Sequence, residues 1–156
     1  MSHNFSYIYS KKSAATILNC KVSNILRVEI WANCIWVLTV KGSPKFISKR
    51  KFKALFASNR QQAGKDIADI GAVDHVKGGL FTVISQSANE TYDVELDVDH
   101  LECNCADYGI QRNDLGLSKA TCKHGYAVLN VLGYATLSDY IKKDGFYKAM
   151  PLDLIA

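Results

Sequence analysis

The chain has 156 residues, 48% of them hydrophobic and 22% charged, with a formal net charge of +4 at pH 7. That composition is typical of a folded globular protein and excludes a disordered chain, while the length allows one ordinary domain or two small ones. No apolar run approaches the ~20 residues that a membrane-spanning helix needs, so we expect an intracellular protein, cytoplasmic or nuclear, without membrane contact.

The charge is distributed unevenly along the chain. Residues 1–65 contain 12 Lys and Arg but one acidic residue, Glu29, whereas residues 66–156 contain 7 Lys and Arg and 14 Asp and Glu. A strongly basic segment is typical of proteins that contact a polyanion such as nucleic acid. The alternative is that the basic and acidic halves of the chain dock on each other.

Three strands are predicted in the basic half. Residues 1–20 are polar with scattered aromatics, and we expect a frayed start there. Residues 25–31 and 34–40 have the apolar patterns of strands, and residues 45–47 are predicted to form a short third strand.

A basic helix is predicted to follow these strands. Ser48 can cap a helix that begins at Lys49. Mostly apolar residues recur along this helix at the spacing that places them on one face. This face consists of Phe52, Leu55, Phe56, Asn59 and Ala63, and Ile67 would continue it. The cations lie mostly on the remaining surface and are Lys49, Arg50, Lys51, Lys53, Arg60 and Lys65. Because no acid separates these cations, we predict contact with nucleic-acid phosphates; the alternative is a solvated surface helix.

The acidic half is predicted to begin with a boundary and a pair of strands. Residues 69–79 contain three glycines and mark the change in the sign of the charge. Strands are predicted over residues 80–86 and 91–98, joined by a turn at residues 87–90. The second strand alternates between an apolar face (Tyr92, Val94, Leu96, Val98) and an acidic face (Asp93, Glu95, Asp97, Asp99).

The acidic face of that strand would repel phosphates. It is predicted to be a solubilising outer face, the usual outcome when the other side of a strand is core. Two alternatives are a surface that pairs with the basic half of this chain or of a second copy, and a surface that binds a basic partner protein.

Four residues form the pattern C-x-C followed by C-x-H: Cys103, Cys105, Cys122 and His124. In an extended segment the first two would face the same way, and Thr121 is a candidate cap for a helix that runs from the second pair to Gly133. Three thiolates and one imidazole complete the tetrahedron that Zn²⁺ prefers. The pattern therefore predicts one zinc ion with no open position, which is typical of a structural site.

Other interpretations of these cysteines are weaker. A C-x-C redox pair, or a catalytic dyad of Cys122 and His124, would not need all four residues. A disulfide scaffold fits poorly, because the total of five cysteines is odd and no signal peptide is visible. Cys20 and Cys34 are predicted to be ordinary thiols of a protein in a reducing compartment.

The C-x-C and C-x-H pairs, with a hydrophobic strand before them and an apolar helix after them, resemble the SWIM zinc finger. The resemblance covers residues 80–133, and the family's remaining features are loosely defined. It implies a zinc-stabilised ββα unit that binds DNA or protein. SWIM modules occur in transposases, remodelling ATPases, transcription factors and recombination mediators, and this chain has no room for an ATPase or transposase domain.

The segment between the two ligand pairs, residues 106–120, is predicted to be a loop. Arg112, Lys119 and Lys123 place positive charge beside the zinc, so this edge is the expected place for any nucleic-acid contact by the module. The helix that follows is apolar on nearly every side and is expected to be buried all round. A short helix is predicted over residues 137–143, with an apolar tail over residues 150–156.

These observations predict an α+β protein made of two small strand-strand-helix units, the second a ββα SWIM-type zinc module. The expected regions are a basic strand-helix region (1–72), a zinc-binding domain (78–145) and a C-terminal tail (146–156). The expected function is non-enzymatic binding of nucleic acid, with DNA favoured, since no catalytic motif is present. The alternative is a protein-interaction adaptor that uses the zinc module and the acidic face. The sequence also allows a homo-oligomer.

Overall fold

The computed structural model describes residues 5–86 and 89–145 of the chain. Two small antiparallel sheets and five α-helices lie within these residues, so the protein has a mixed α and β architecture, as predicted. The chain divides into unit 1, Met1–Asn59, and unit 2, Arg60–Ala156. The predicted C-terminal tail lies outside the described residues.

Unit 1 is built on a three-stranded sheet in the order β1-β2-β3. Its elements are α1 (Lys11–Ile17), β1 (Ile25–Ile30), β2 (Ile35–Thr39), β3 (Pro44–Ile47) and the start of α2 (Lys49–Asp69). The three predicted strands are therefore confirmed. The frayed start is wrong for residues 11–17, because the Ser10 side chain caps α1 by accepting the Ser13 N–H, and Ala14 and Ala15 are buried.

Side chains along β2 alternate between the two faces of this sheet. Ile35, Val37 and Thr39 are buried, whereas Trp36 and Leu38 point to the other face and are partly exposed. Phe52 of α2 is fully buried and its ring meets that of Tyr9 edge-on, with centroids 5.5 Å apart. The core of unit 1 therefore lies on one face of the sheet, and the opposite face stays available to solvent.

Unit 2 is built on a four-stranded antiparallel sheet in the order β4-β5-β6-β7. Its strands are β4 (Val73–Lys77), β5 (Leu80–Ile84), β6 (Thr91–Leu96) and β7 (Leu101–Cys103). Its helices after the sheet are α3 (Ala106–Gly109), α4 (Lys123–Val131) and α5 (Leu137–Tyr140), with π-helical turns at Ile110–Asp114 and Ile141–Gly145 continuing α3 and α5.

Two segments of unit 2 differ from the prediction. The expected connection at residues 69–79 contains β4, because Gly78, at φ +51°, closes a tight turn that pairs β4 with β5. The expected loop at residues 106–120 is helical over residues 106–114. Both segments are short and weakly patterned, so neighbouring elements decide their conformation.

The alternation predicted for β6 is confirmed. Val94 and Leu96 are buried in the core of unit 2, while Asp93 and Glu95 are exposed. Helix α4 packs on this sheet through Ala127, Val128 and Leu129. The helix is not buried all round, however, because Val131 and Leu132 at its end are 53% and 41% exposed.

No helix among residues 5–86 and 89–145 combines the length and the apolar character needed to cross a membrane.

Candidate metal centre

The edge strand β7 brings the first ligand pair to the core of unit 2. Cys103 ends β7 and lies opposite Val94 of β6, and both residues are buried. Asn104 points outward, where its side-chain oxygen accepts the Asp93 N–H at 3.0 Å. Cys105 returns to the buried side. The C-x-C spacing therefore turns two sulfurs the same way, as extended backbone requires.

Two of the three cysteines also cap helices. The Cys105 sulfur accepts the Tyr108 N–H at the start of α3, and the Cys122 sulfur accepts the Gly125 N–H at the start of α4, each at 3.4 Å. The residue that caps α4 is therefore Cys122. The prediction from sequence that Thr121 caps this helix is wrong. A sulfur in this position faces the positive end of the helix dipole, which favours the thiolate that a metal needs.

The first turn of α4 lies very close to β7. A Cβ atom added to Gly125 would lie 2.8 Å from Leu101 Cδ2 and 3.2 Å from Thr121 Cγ2. A side chain at position 125 would therefore require the buried Leu101 side chain to move, which shows how closely the first turn of α4 packs on β7.

The four ligand atoms converge on a single point. One atom from each of Cys103, Cys105, Cys122 and His124 lies within 4.8 Å of all the others, and all four residues are buried. The His124 Nδ1 atom lies 3.9 Å from both the Cys103 and Cys122 sulfurs. A tetrahedral Zn²⁺ centre with ordinary bond lengths separates its ligand atoms by roughly 3.5–3.8 Å. The site therefore needs only a small contraction to hold one metal ion.

The imidazole of His124 gives a test of whether the residues fit a metal. The residue is 3% exposed, and its Nε2 atom has no hydrogen-bond partner among the described residues. The Nδ1 atom lies 3.9 Å from the Cys103 and Cys122 sulfurs, which is long for a hydrogen bond, although a buried polar group needs a strong partner. Coordination of a metal ion by Nδ1 would give this nitrogen a strong partner. The Tyr92 ring, stacked on the imidazole at a centroid distance of 4.3 Å, covers it.

The three thiols interact as one acid-base group. The hydrogen bond with Cys103 lowers the pKa of Cys105 well below its ordinary value. The same hydrogen bond raises the pKa of Cys103 to about 12. Hydrogen bonds to Cys103 and Cys105, together with burial, raise the pKa of Cys122. Because a metal binds cysteine as the thiolate, binding of a metal to this cluster would release the protons of its thiols.

A polar network supports the backbone of the second ligand pair. The buried Gln111 side chain accepts the Thr121 N–H at 3.1 Å and donates to the Thr121 carbonyl at 3.1 Å and to Asp107 at 3.0 Å. Asp107 in turn binds the Arg60 guanidinium through two bonds of 3.0 and 2.7 Å. Gln111 was not predicted from the sequence, because it lies in a segment without a clear pattern and its partner is ten residues away.

We expect Gln111→Leu to weaken metal binding by about 10- to 100-fold, the usual effect of losing a residue that orients a ligand. The substitution keeps the volume of the side chain but leaves both polar groups of the Thr121 backbone without their buried partner. Affinity would be measured by competition with a chromophoric chelator. Gln62→Leu is the matched control, because Gln62 is exposed and makes one surface bond to Asp66. Equal affinities for the two variants would contradict a positioning role for Gln111.

Eight of the nine cations predicted to contact nucleic acid fall into two groups, and the ninth, Lys65, forms an ion pair with Asp69 four residues on. Lys49, Arg50, Lys51 and Lys53 lie in the first five residues of α2, and the last three are exposed. The other four belong to unit 2: Arg60, Arg112, Lys119 and Lys123.

Most cations of the second group already have partners within the protein. Arg60 binds Asp107, Arg112 donates to the Leu117 and Ser118 carbonyls, and Lys119 donates to the Ser138 hydroxyl. Lys123 is the first residue of α4 and is partly buried. The basic helix start, defined as residues 49–53, is therefore the stronger candidate for contact with an anion.

The acidic face of β6 is exposed beside the metal centre. Asp93, Glu95 and the neighbouring Glu102 of β7 line a groove of about 320 Å³ together with Cys103 and Asn104. Glu95 lies directly opposite Glu102 across the strand pair, which places two like charges side by side.

A metal held by all four residues would have its tetrahedron filled by protein, which leaves no position for a substrate. Such a centre stabilises a fold and does not activate a reactant. No family model, curated protein or solved structure matches this chain.

Proposed function

We propose that this protein binds zinc and nucleic acid, with DNA as the nucleic acid, and that it is not an enzyme. Cys103, Cys105, Cys122 and His124 hold one structural zinc ion in a SWIM-type ββα module made by β6, β7 and α4. The proposal for the metal rests on the convergence of four buried ligand atoms, in which the His124 Nδ1 atom lies 3.9 Å from two of the sulfurs. The three-sulfur, one-nitrogen donor set suits Zn²⁺ better than the oxygen-preferring cations.

The basic helix start carries the proposal for nucleic acid. It places four cations within five residues, and the first turn of α2 has no acidic residue. Within the described part of unit 1 the single acidic residue is Glu29, and its carboxylate is already bound by Arg27 at 2.8 Å. The positive charge of this segment is therefore not balanced by carboxylates of unit 1.

The position of these cations at the start of a helix strengthens the argument. The N-terminal end of a helix carries a partial positive charge, so cations there are unfavourable for the helix itself. The first four N–H groups of a helix also lack partners within the helix. The Lys51 N–H is already accepted by Ser48, so a phosphate backbone would act mainly by neutralising the uncompensated charge.

We expect the zinc-loaded protein to bind DNA with an affinity that falls steeply as salt rises. If four cations each neutralise one phosphate, raising the salt from 50 to 200 mM should weaken binding roughly 50-fold for a single strand and roughly 150-fold for a duplex. Fluorescence anisotropy with labelled oligonucleotides at the two salt concentrations would measure this change, with metal content determined on the same sample. A fully zinc-loaded protein that binds neither DNA nor RNA would contradict the proposal.

A second candidate function is a protein-interaction adaptor without nucleic-acid contact. The observation that favours it is the exposed acidic groove of Asp93, Glu95 and Glu102, where like charges lie side by side and a basic partner would relieve their repulsion. Such an adaptor would form a complex or homodimer of defined stoichiometry that does not depend on the basic helix start.

A further inference from the structure

The sheet of unit 1 carries three aromatic side chains, two exposed and one partly exposed, on the face opposite its core. Trp36 of β2 lies directly across from Phe46 of β3, and Trp31 follows the end of β1. The Trp31 and Trp36 rings stack almost parallel, 6° apart with centroids separated by 6.1 Å, and Phe46 meets Trp31 edge-on at 5.8 Å. We name these three residues the aromatic patch.

The aromatic patch is not part of the core. Trp31 is 44% and Phe46 is 62% exposed, while the alternate residues Ile35, Val37 and Ile47 are buried on the other face. Contiguous exposed aromatic area is uncommon on a soluble protein and usually marks a binding surface. The stacking of Trp31 on Trp36 and the strand pairing hold the rings in place before any ligand binds.

Two cations, Lys49 and Arg27, and one carboxylate, Glu29, lie at the aromatic patch. The Lys49 ammonium donates to the Ala32 carbonyl at 2.9 Å, so the first cation of the basic helix start lies beside the turn that carries Trp31. Glu29 lies across from Trp36 on the same face. Its carboxylate accepts from the Trp31 indole N–H at 3.0 Å and pairs with Arg27 at 2.8 Å. The one carboxylate at the aromatic patch is thus engaged within the sheet.

We propose that the aromatic patch stacks the unpaired bases of a single-stranded nucleic acid, while the basic helix start holds the adjoining phosphates. This proposal rests on the proposed nucleic-acid function and narrows it to single strands. Flat aromatic rings beside cations match the two features of an unpaired strand, exposed π faces and a negative backbone. Stacking tolerates any base, so sequence preference should be weak.

Charge argues against a second copy of the chain as the occupant of this surface. Residues 1–59 contain ten Lys and Arg and one acidic residue. Two such surfaces placed face to face would bring like charges together, whereas a polyanion would be attracted.

The aromatic patch contains its own spectroscopic reporter. Trp31 and Trp36 are the two tryptophans of the chain, so all tryptophan fluorescence comes from this surface. We would titrate the zinc-loaded protein with a short oligothymidylate, with a duplex of equal charge, and with heparin, a polyanion without bases. We expect strong quenching by the oligothymidylate and little by heparin, because stacking on the rings and not charge alone changes the indole emission.

Substitution separates stacking from charge. Trp31→Ala and Phe46→Ala should each weaken oligothymidylate binding, measured by anisotropy, by roughly 5- to 150-fold while leaving heparin binding unchanged. Tyr7→Ala is the matched control, since Tyr7 is an exposed aromatic residue of unit 1 outside the sheet, 49% exposed. Both patch residues are exposed, so their loss should leave the fold intact, and circular dichroism would verify this.

Several results would overturn the inference. If both variants bind oligothymidylate with unchanged affinity and binding still depends on salt, the aromatic patch does not stack bases. The proposed nucleic-acid function would not be affected by that result. Tighter binding of the duplex than of the oligothymidylate would likewise contradict the stacking proposal and not the proposed function. No binding to any oligonucleotide would remove the proposed function and this inference together. A concentration-dependent dimer that Trp31→Ala converts to a monomer would identify the aromatic patch as a contact between copies.

Discussion

Replacing Cys105 with serine should release the metal and unfold the part of unit 2 that is built on the ligands, from β5 through α4. Structural zinc contributes about 10–16 kcal/mol in small modules, as much as or more than the total stability of a typical domain. The three cysteines are members of the same buried cluster as Val94, Leu101 and Val128, so the ligands and the core fold together. Loss of one ligand therefore removes the metal and breaks the contact between α4 and the sheet, so that the buried residues there become exposed to water.

The effect would be measured as metal content per chain and as protection of backbone amides from hydrogen exchange. Cys20→Ser and Cys34→Ser are matched controls, because both residues are free, partly exposed cysteines outside the cluster. They should retain one zinc ion and full protection. A Cys105→Ser protein that is free of metal and as well protected as the parent would show that the metal is not structural.

Replacing Lys49, Arg50, Lys51 and Lys53 together with glutamine should reduce DNA binding by several orders of magnitude and flatten its salt dependence. The slope of log affinity against log salt should fall by roughly 2.8 for a single strand or roughly 3.6 for a duplex, since each phosphate contact contributes about 0.7 or 0.9. Stability should be unchanged or slightly higher, because removing cations from the start of α2 relieves their repulsion of the helix dipole. A loss of binding could then not be attributed to unfolding.

The control for this variant removes the same number of charges from another part of unit 1. Lys11, Lys12, Lys21 and Lys41 are exposed lysines outside α2, and their joint replacement with glutamine gives the same change in net charge. If the basic helix start binds phosphate directly, this control should lose little affinity. Equal losses in the two variants would show that net charge, and not this helix, attracts the nucleic acid.

Local sequence was sufficient to predict the elements with strong patterns. The alternation in β6 and the apolar residues of β2 indicated which side chains would be buried, because strand side chains point to opposite faces at every second residue. The charge-rich α2 was predicted from Ser48 onward, and Ser48 accepts the Lys51 N–H at its start. The convergence of the four ligand-type residues was predicted from their types and spacing alone.

Short elements were not predictable in the same way. Helix α1 spans seven residues and α3 spans four, which is too short for an apolar pattern to repeat. Strand β4 has four exposed residues out of five and exists because β5 pairs with it. Helices and strands of this length have little stability alone, so their neighbours determine whether they form.

The sequence by itself determined the chemistry of this protein: a three-cysteine, one-histidine ligand set, a basic first half and an acidic second half. Only the tertiary structure decided which side chains support or extend that chemistry. Gln111 meets Thr121, Arg60 meets Asp107 across 47 positions, and Trp36 meets Phe46 through strand register. The physical reason is that ligand type and net charge are properties of single residues, whereas a positioning bond or an aromatic patch requires distant residues to be brought together by folding.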